Sequence, residues 1–345
     1  MKGLVLVKHG EVQLQEVDKP VIKNDTDVVI KITMTTICGS DIHLMHGILP
    51  SAPPFIIGHE YVGIVEETGA AVKKFKPGDR VCGPPAVWCG RCENCLKGFT
   101  QQCANGGTHG SGPLMGDLHG AQCEYILVPY ADIVLLHVPD DMPDERALLV
   151  CDNLSTGFFV LDNGDIRPGD TVVIFGAGPV GLSAVAASKV FGPKQVILVE
   201  YNEFRLQTGK KMGADYLINA KDDVVSAVME ITGGKGAELA AECSGDEKAF
   251  SDAVRCVGAA GHVSIVGIGK KLEISDPTWA LMNNLTIRVG LGYLGNNQRL
   301  MDLLHCNKIN LDPLITHRIK LDDIIPAYKM FEDREDNVIK IAVTP

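Results

Sequence analysis

Two short stretches bring together the residue types that bind a catalytic metal: Cys38-Gly39-Ser40-Asp41-Ile42-His43 and Gly58-His59-Glu60. A proline-rich bend (Pro50, Pro53, Pro54) lies between them. Three donors drawn from a thiolate, imidazoles and carboxylates, with a fourth position open, make a zinc site that does chemistry. Such a site polarises a bound oxygen and lowers the pKa of what binds there, to about 7 for water. A single cysteine or histidine would be read as a buried core residue. The clustering, with Ser40 and His43 interleaved, favours a metal.

A second cluster, Cys89-x2-Cys92-x2-Cys95-x7-Cys103, has another character. Four thiolates within fifteen residues close a tetrahedral sphere around one zinc and leave no open position. A closed site does no chemistry; it orders a loop too polar to fold alone, with Gly90, Arg91, Glu93, Asn94 and Lys97 between the cysteines. Disulfides are the alternative, and they are disfavoured in a chain read as cytoplasmic. Cys82, Cys123, Cys243, Cys256 and Cys306 have no partner at ligand spacing and are expected to pack as apolar residues.

The third constellation is Gly176-Ala177-Gly178-Pro179-Val180-Gly181, which follows the apolar run 172–175 and opens a helical stretch over 182–190. A GxGxxG alone is weak, but strand before and helix after is the context of a dinucleotide site. Gly176 allows the tight turn, Gly178 lets pyrophosphate approach the backbone, and Gly181 permits close helix–strand packing. The helix N-terminus offers free N–H groups to the phosphates. Glu200 ends the next strand nineteen residues beyond Gly181, close to the spacing of a ribose-binding acid. A carboxylate there accepts from both adenosine ribose hydroxyls and repels a 2′-phosphate, so NAD is expected over NADP. Arg205 complicates this, because a nearby arginine accommodates a 2′-phosphate, although it also serves the ribose of NAD.

The elements that must position these groups fall into two textures. Residues 1 to about 80 alternate apolar and polar in short runs punctuated by glycine and proline, an irregular all-β segment. The runs 124–128 and 133–138 continue it, and from Asp144 the period lengthens toward helical. From Thr171 apolar strands alternate with helical stretches: 172–175, 196–199, 216–218, 239–241, 263–266 and 286–289. Six strands with helical connections predict an α/β fold, a doubly wound parallel sheet. A short helix is expected near 298–305 and a last strand at 338–343. The chain is thereby divided into a catalytic zinc domain, 1–153 and 291–345, and a Rossmann NAD domain, 154–290.

Length and composition agree. The 345 residues are 46% hydrophobic, enough for two cored domains, and the net charge of -11 argues against nucleic acid or anionic membrane as partner. The N-terminus lacks a signal-peptide pattern. The long apolar run from 171 to 190 contains glycines and reads as a buried strand–turn–helix rather than a span. Eleven cysteines without a secretion signal point to the cytoplasm.

With these residues in hand, the chain resembles the zinc-dependent medium-chain alcohol dehydrogenases over nearly its whole length. Gly58-His59-Glu60-x2-Gly63-x5-Gly69-x2-Val72 is similar to that family's zinc signature, the four-cysteine lobe to its structural zinc loop, and Gly176–Gly181 to its coenzyme fingerprint. The resemblance implies a GroES-like catalytic domain beside the Rossmann domain. It implies one catalytic and one structural zinc per chain, with Cys38 and His59 as two catalytic ligands. The third ligand lies five residues before the glycine of Ser155-Thr156-Gly157, which is Asp152. Cysteine or glutamate is commoner there; aspartate is similar to the microbial secondary-alcohol dehydrogenases. In those enzymes the glutamate after the histidine, here Glu60, completes the sphere when substrate is absent. They often lack the cysteine lobe, and in having it this chain is more similar to polyol, butanediol and threonine dehydrogenases.

By the same resemblance, Ser40 receives the alcohol proton and His43 passes it to solvent by way of the nicotinamide ribose, a task suited to an ordinary pKa of about 6.5. Thr156 and Val180 line the nicotinamide. Gly39 stands where some members place a pyrophosphate-binding arginine, which leaves the phosphates to the Gly-rich turn. The implied activity is reversible NAD-dependent oxidation of a small secondary alcohol or vicinal diol, with a polyol or L-threonine as the alternative substrate. The implied assembly is a homotetramer or homodimer, with 286–289 as a contact. Two rivals remain: a metal-independent NADPH-linked reductase of the same fold, which has no use for Cys38, His59 and Asp152, and a non-catalytic NAD(P)-binding protein, which leaves Ser40 and His43 without a task.

Overall fold

The computed structural model describes residues 1–269, 271–274 and 276–345. The chain forms two compact units, Met1–Asp152 with Tyr293–His305 and Ile315–Pro345, and Asn153–Gly292 with Cys306–Leu314. Asn153 and residues 291–292 and 306–314, which the sequence reading placed with the first domain, therefore cluster with the second. Among the described residues no helix is long and apolar enough to cross a membrane.

The first unit is mostly β. Its main sheet runs Leu136–His137, Arg80–Gly83, Tyr61–Thr68, Val28–Thr36, Lys340–Thr344 and Ile315–Lys320 in spatial order, and Tyr125–Val128 also pairs with Val28–Thr36. Val28–Thr36 is the centre because its β-branched residues suit a pleated, buried surface: Val28, Val29 and Ile30 are fully buried. The antiparallel pairing of Ala342 with Thr36 and of Val343 with Thr35, run on two residues, carries Lys340 to the level of Cys38. A smaller sheet joins Glu11–Glu16, Lys2–Lys8 and Phe55–Ile56.

Three local readings change in this unit. Ile133 and Val134, expected to begin a strand, end the short helix Ala131–Val134, and only Leu136–His137 pairs as strand. The last strand is Lys340–Thr344, shifted from 338–343. Strand Ile315–Lys320 and helix Ile324–Asp333 were not anticipated.

The second unit contains a six-stranded parallel sheet in the order Tyr216–Asn219, Gln195–Glu200, Thr171–Phe175, Ala237–Glu242, Val257–Ile265, Thr286–Val289. Numbered along the chain this is 3-2-1-4-5-6, the doubly wound dinucleotide order. Thr171–Phe175 and Gln195–Glu200 are buried at every position, which is why they read as unbroken apolar runs rather than alternating ones. Helix Pro179–Ser188 begins with proline at its first turn, where the missing N–H costs nothing. The following helices are capped by side chains: Asn202, Asp223 and Asp246 each accept a backbone N–H three residues on.

Candidate metal centres and dinucleotide turn

Cys38 caps helix Gly39–Met45, His59 and Glu60 lie just before strand Tyr61–Thr68, and Asp152 sits in a single π-helical turn, Val150–Leu154. Such turns recur at functional sites because the extra residue re-aims a side chain. One donor atom from each of Cys38, His59, Glu60 and Asp152 lies within 4.8 Å of the others. Cys38 Sγ is 3.7 Å from Asp152 Oδ2, and His59 Nε2 is 3.8 Å from the same oxygen. Donors at zinc-ligand distances around a tetrahedral centre are about 3.4–3.5 Å apart, so this set fits one ion. Cys151, the neighbour of Asp152, is turned into the core with its Sγ 3.7 Å from Cys82 Sγ.

The electrostatics also suit a cation. Burial alone would pull His59 below its ordinary pKa; Asp41, Asp152 and Cys38 outweigh that and raise it well above. For Asp152, burial pushes upward, and His59, Lys340 and Cys38 bring its pKa below the usual value.

Several residues that spacing did not single out hold the donors. Asp41 is fully buried; its Oδ2 accepts the backbone N–H of Cys38 at 2.9 Å, and its Oδ1 lies 3.1 Å from His59 Nδ1. The second ring nitrogen of a metal-binding histidine usually meets such a partner, which sets its tautomer. The available signal for Asp41 was its position, a carboxylate three residues past the candidate ligand Cys38. Lys340 is fully buried with its Nζ 2.6 Å from Glu60 Oε1. Burial drags Lys340 down, but Glu60, Cys38 and Asp152 more than compensate and raise its pKa. Glu60 thus has a cation partner already, and Thr35 Oγ1 donates to its backbone carbonyl at 2.8 Å.

Ser40 Oγ is 3.3 Å from His59 Nε2, at the edge of the donor set. His43 lies three residues along the same helix, on the same face. It is half-buried, and burial, then the nearby His46, lowers its pKa. Leu49 and Phe55 pack against one apolar core and Trp88 belongs to another, while Ile48 is exposed.

In the second cluster, Cys89, Cys92, Cys95 and Cys103 bring their sulfurs within 4.8 Å of one another. Cys92 Sγ is 3.5 Å from Cys95 Sγ and 3.8 Å from Cys103 Sγ. Four sulfurs bound to zinc lie about 3.8 Å apart, so this set also fits an ion. Local donors support the thiolates: Cys89 N–H reaches Cys103 Sγ at 3.2 Å, and Asn105 Nδ2 reaches Cys89 Sγ at 3.4 Å. The Asn105 side chain and the Arg91 backbone pull Cys89 down to about 6.

In the dinucleotide turn Gly176 has φ +91°, and a Cβ there would meet Ser244 Cβ at 2.9 Å. A Cβ on Gly181 would sit 1.9 Å from Gly176 O, whereas Gly178 faces open space, as approach by a phosphate requires. Val180 lies in the first turn of helix Pro179–Ser188, and Thr156 in helix Ser155–Asn163; both are half-buried.

Glu200 departs from expectation. Its Oε2 accepts Ala177 N–H at 2.8 Å, and its Oε1 accepts Tyr201 and Asn202 N–H at 2.8 and 3.0 Å. A carboxylate has about four lone-pair sites. Three are occupied, leaving one for a ribose hydroxyl rather than two for both. Glu200 therefore also braces the Gly-rich turn. Arg205 is buried, which lowers its pKa, and it feels the opposing pull of Glu200. Glu242, unmarked by any motif, does similar work at the end of strand Ala237–Glu242, accepting from Ser244 N–H at 2.7 Å and Gly245 N–H at 3.0 Å.

A parallel dinucleotide sheet and a β-rich unit holding a mixed thiolate–imidazole–carboxylate set define a metal-dependent dehydrogenase. Residues 24–140 match the alcohol dehydrogenase GroES-like domain and residues 179–305 the zinc-binding dehydrogenase domain. An alcohol dehydrogenase from Cupriavidus necator is 35% identical, covering 100% of this chain and 99% of the relative. An NADP-dependent isopropanol dehydrogenase from Thermoanaerobacter brockii is 33% identical, with 99% of each covered. The solved structure of alcohol dehydrogenase TADH from Thermus sp. ATN1 superposes with a TM-score of 0.93 at 32% identity, covering 100% of this chain and 99% of that one. The chain belongs to the zinc-dependent medium-chain alcohol dehydrogenase family, and it is an oxidoreductase acting on CH–OH donors.

Proposed function

We propose that the enzyme oxidises a small secondary alcohol or vicinal diol reversibly, with NAD as hydride acceptor. Cys38, His59 and Asp152 would hold the catalytic zinc, which supplies Lewis-acid polarisation of an alcohol oxygen. Ser40 takes the hydroxyl proton and His43 carries it onward. The Ser40 hydroxyl, 3.3 Å from His59 Nε2, is the observation that carries this reading, since it puts a proton acceptor at the edge of the donor set. Asp152 in that set, together with the isopropanol dehydrogenase among the relatives, supports a secondary alcohol. Glu60, held by Lys340, would be an exchangeable fourth ligand. Cys89, Cys92, Cys95 and Cys103 would hold a second, structural zinc, two ions per chain in all.

NAD rests on Glu200, whose buried carboxylate would repel a 2′-phosphate. The isopropanol relative is named for NADP. A homo-oligomer, tetramer or dimer, is part of the reading. The edge strand Thr286–Val289 carries exposed Val289, with exposed Leu291 two residues on and exposed Leu281 and Met282 just before it. Steady-state rates on a panel of secondary alcohols, vicinal diols, polyols and L-threonine, each with NAD and NADP, test the proposal. The expected result is the highest kcat/KM on a secondary alcohol or diol with NAD; equal use of NADP would refute the ribose argument.

A further inference from the structure

We propose that Gln122 is a positioning residue for the Cys38 donor set, anchored at its amide oxygen by Tyr328. The inference rests on the reading of that set as a metal site. Gln122 is fully buried, and its side chain joins three separate parts of the first unit. Its Nε2 donates to Asp41 Oδ2 at 3.1 Å and to Thr36 O at 2.9 Å, and its Oε1 accepts the Tyr328 hydroxyl at 2.7 Å.

These contacts leave the amide one sensible orientation. A flipped amide would aim its oxygen at the Asp41 carboxylate and at a carbonyl, two acceptors with no proton to offer. Asp41 Oδ2 and Thr36 O therefore select the NH2 end. The Tyr328 hydroxyl, arriving from helix Ile324–Asp333 and able to donate or accept, donates to the Oε1 that is left facing it and anchors the amide from that side. Asp41 is the residue that touches both Cys38 and His59. The sequence of contacts is Tyr328, Gln122, Asp41, and then the two donors.

The backbone reinforces the side chain. Gln122 N–H donates to Ile57 O at 3.0 Å, and Ala121 N–H donates to Gly58 O at 2.9 Å. Gly58 has φ +95°, and a Cβ there would stand 2.5 Å from Gln122 Cγ. The glycine before His59 therefore makes the room that Gln122 fills. Cys38 and His59 are thus tied through Asp41 to one buried amide. Partners bonded directly to a ligand typically set metal affinity by about 10–100-fold, and a residue one contact further out acts at the low end of that range.

The test measures metal binding, not turnover. Zinc affinity is read by competition with a colorimetric chelator, and the thiolate-to-metal absorption band is recorded after exchange with Co²⁺, in the parent, Gln122→Met and Tyr328→Phe. Cys38→Ser identifies which part of the band belongs to this cluster. We expect Gln122→Met to weaken zinc binding there by about tenfold, the low end of what a direct partner of a ligand costs, and Tyr328→Phe by a smaller factor. Both should shift the Cys38-dependent band, while the metal bound by Cys89, Cys92, Cys95 and Cys103 stays at parental affinity. A folded Gln122→Met with parental affinity and spectrum overturns the inference and leaves the metal reading standing. If Gln122→Met does not fold, Tyr328→Phe, which loses one hydroxyl, decides in the same way. A parent without a Cys38-dependent band sinks the metal reading and this inference with it.

Discussion

The two sulfur-containing clusters are built on opposite plans. Cys89, Cys92, Cys95 and Cys103 come from fifteen consecutive residues, are of one chemical type, and are steadied by nearby N–H groups. Cys38 and Asp152 are 114 residues apart, and the set they form with His59 and Glu60 mixes three chemistries. A local cluster needs only short loops closed, at small entropic cost, so an ion there can organise the segment that binds it. A dispersed cluster cannot be assembled that way, because the fold must already have brought its members together. The structure shows the consequence. Three of the four dispersed donors are gripped by a residue outside the set: Cys38 and His59 by Asp41, Glu60 by Lys340. The lobe should be where losing a ligand costs stability, and the dispersed set where it costs chemistry.

The hardest test of that contrast is Cys38→Ser. Losing the thiolate removes Lewis-acid assistance worth several kcal/mol, so kcat/KM should fall by about 10⁴-fold, or 5–6 kcal/mol at 1.4 kcal/mol per decade. NADH binding, followed by fluorescence, should be unchanged, because the Gly-rich turn belongs to the other unit. A variant that retained full turnover would end the distinction between the clusters.

Lys340→Met comes next and probes the grip rather than the donor. Breaking a buried pair from one side costs about 3–5 kcal/mol, and here it leaves Glu60, whose burial already raises its pKa to about 7, without the cation that opposes that rise. At 2–4 °C per kcal/mol this lowers Tm by roughly 6–20 °C. Glu60→Gln in the same chain should recover much of the loss, since it removes the stranded carboxylate. Absence of recovery would mean that Lys340 acts through some contact other than Glu60.

Cys103→Ser reverses the pattern expected of Cys38→Ser. One zinc per chain should be lost and Tm should fall by roughly 5–10 °C, about 2–3 kcal/mol. Turnover per remaining zinc, measured well below the new Tm, should stay within about twofold of the parent, because a closed site does no chemistry. A large fall in kcat with unchanged Tm would assign the lobe a part in catalysis and erase the contrast.

The same difference governs what could be read from the chain. The lobe was legible because its chemistry is its spacing. The Rossmann sheet was legible because strands buried on both faces leave continuous apolar runs and the turn needs glycine at defined steps. The dispersed donors were legible as residue types, and the family resemblance supplied Asp152. Their supports were not. Lys340 lies 280 residues from Glu60 and shows no local pattern; it reaches the site only because Lys340–Thr344 pairs with Val28–Thr36. Gln122 and Tyr328 are 206 residues apart, and a lone glutamine and tyrosine carry no signal until the sheet is assembled. Glu200 shows a subtler limit. Spacing located it, but only geometry revealed that backbone N–H groups already take most of its acceptor capacity.

The smallest expected effect concerns how the dispersed site communicates with water. His43 has its pKa lowered by burial and by His46, and its Nδ1 is buried without a hydrogen-bond partner among the described residues. A lowered value means that His43 is neutral at pH 7 and able to accept a proton. It loses that ability only as pH falls through a value below 6.5. Alcohol oxidation should therefore show an acid limb below pH 6.5, seen in kcat/KM at saturating cofactor. His43→Gln keeps the polarity and removes the titration, so the limb should flatten and the rate at pH 7 should drop by about tenfold, less than the 10²–10⁴ of direct general acid–base catalysis. Added imidazole should restore part of the rate by accepting the proton from solution. The lobe offers no counterpart, because Cys103→Ser should leave the limb where it was. An acid limb that survived His43→Gln would place the proton's exit elsewhere and separate Ser40 from the helix face on which both residues lie.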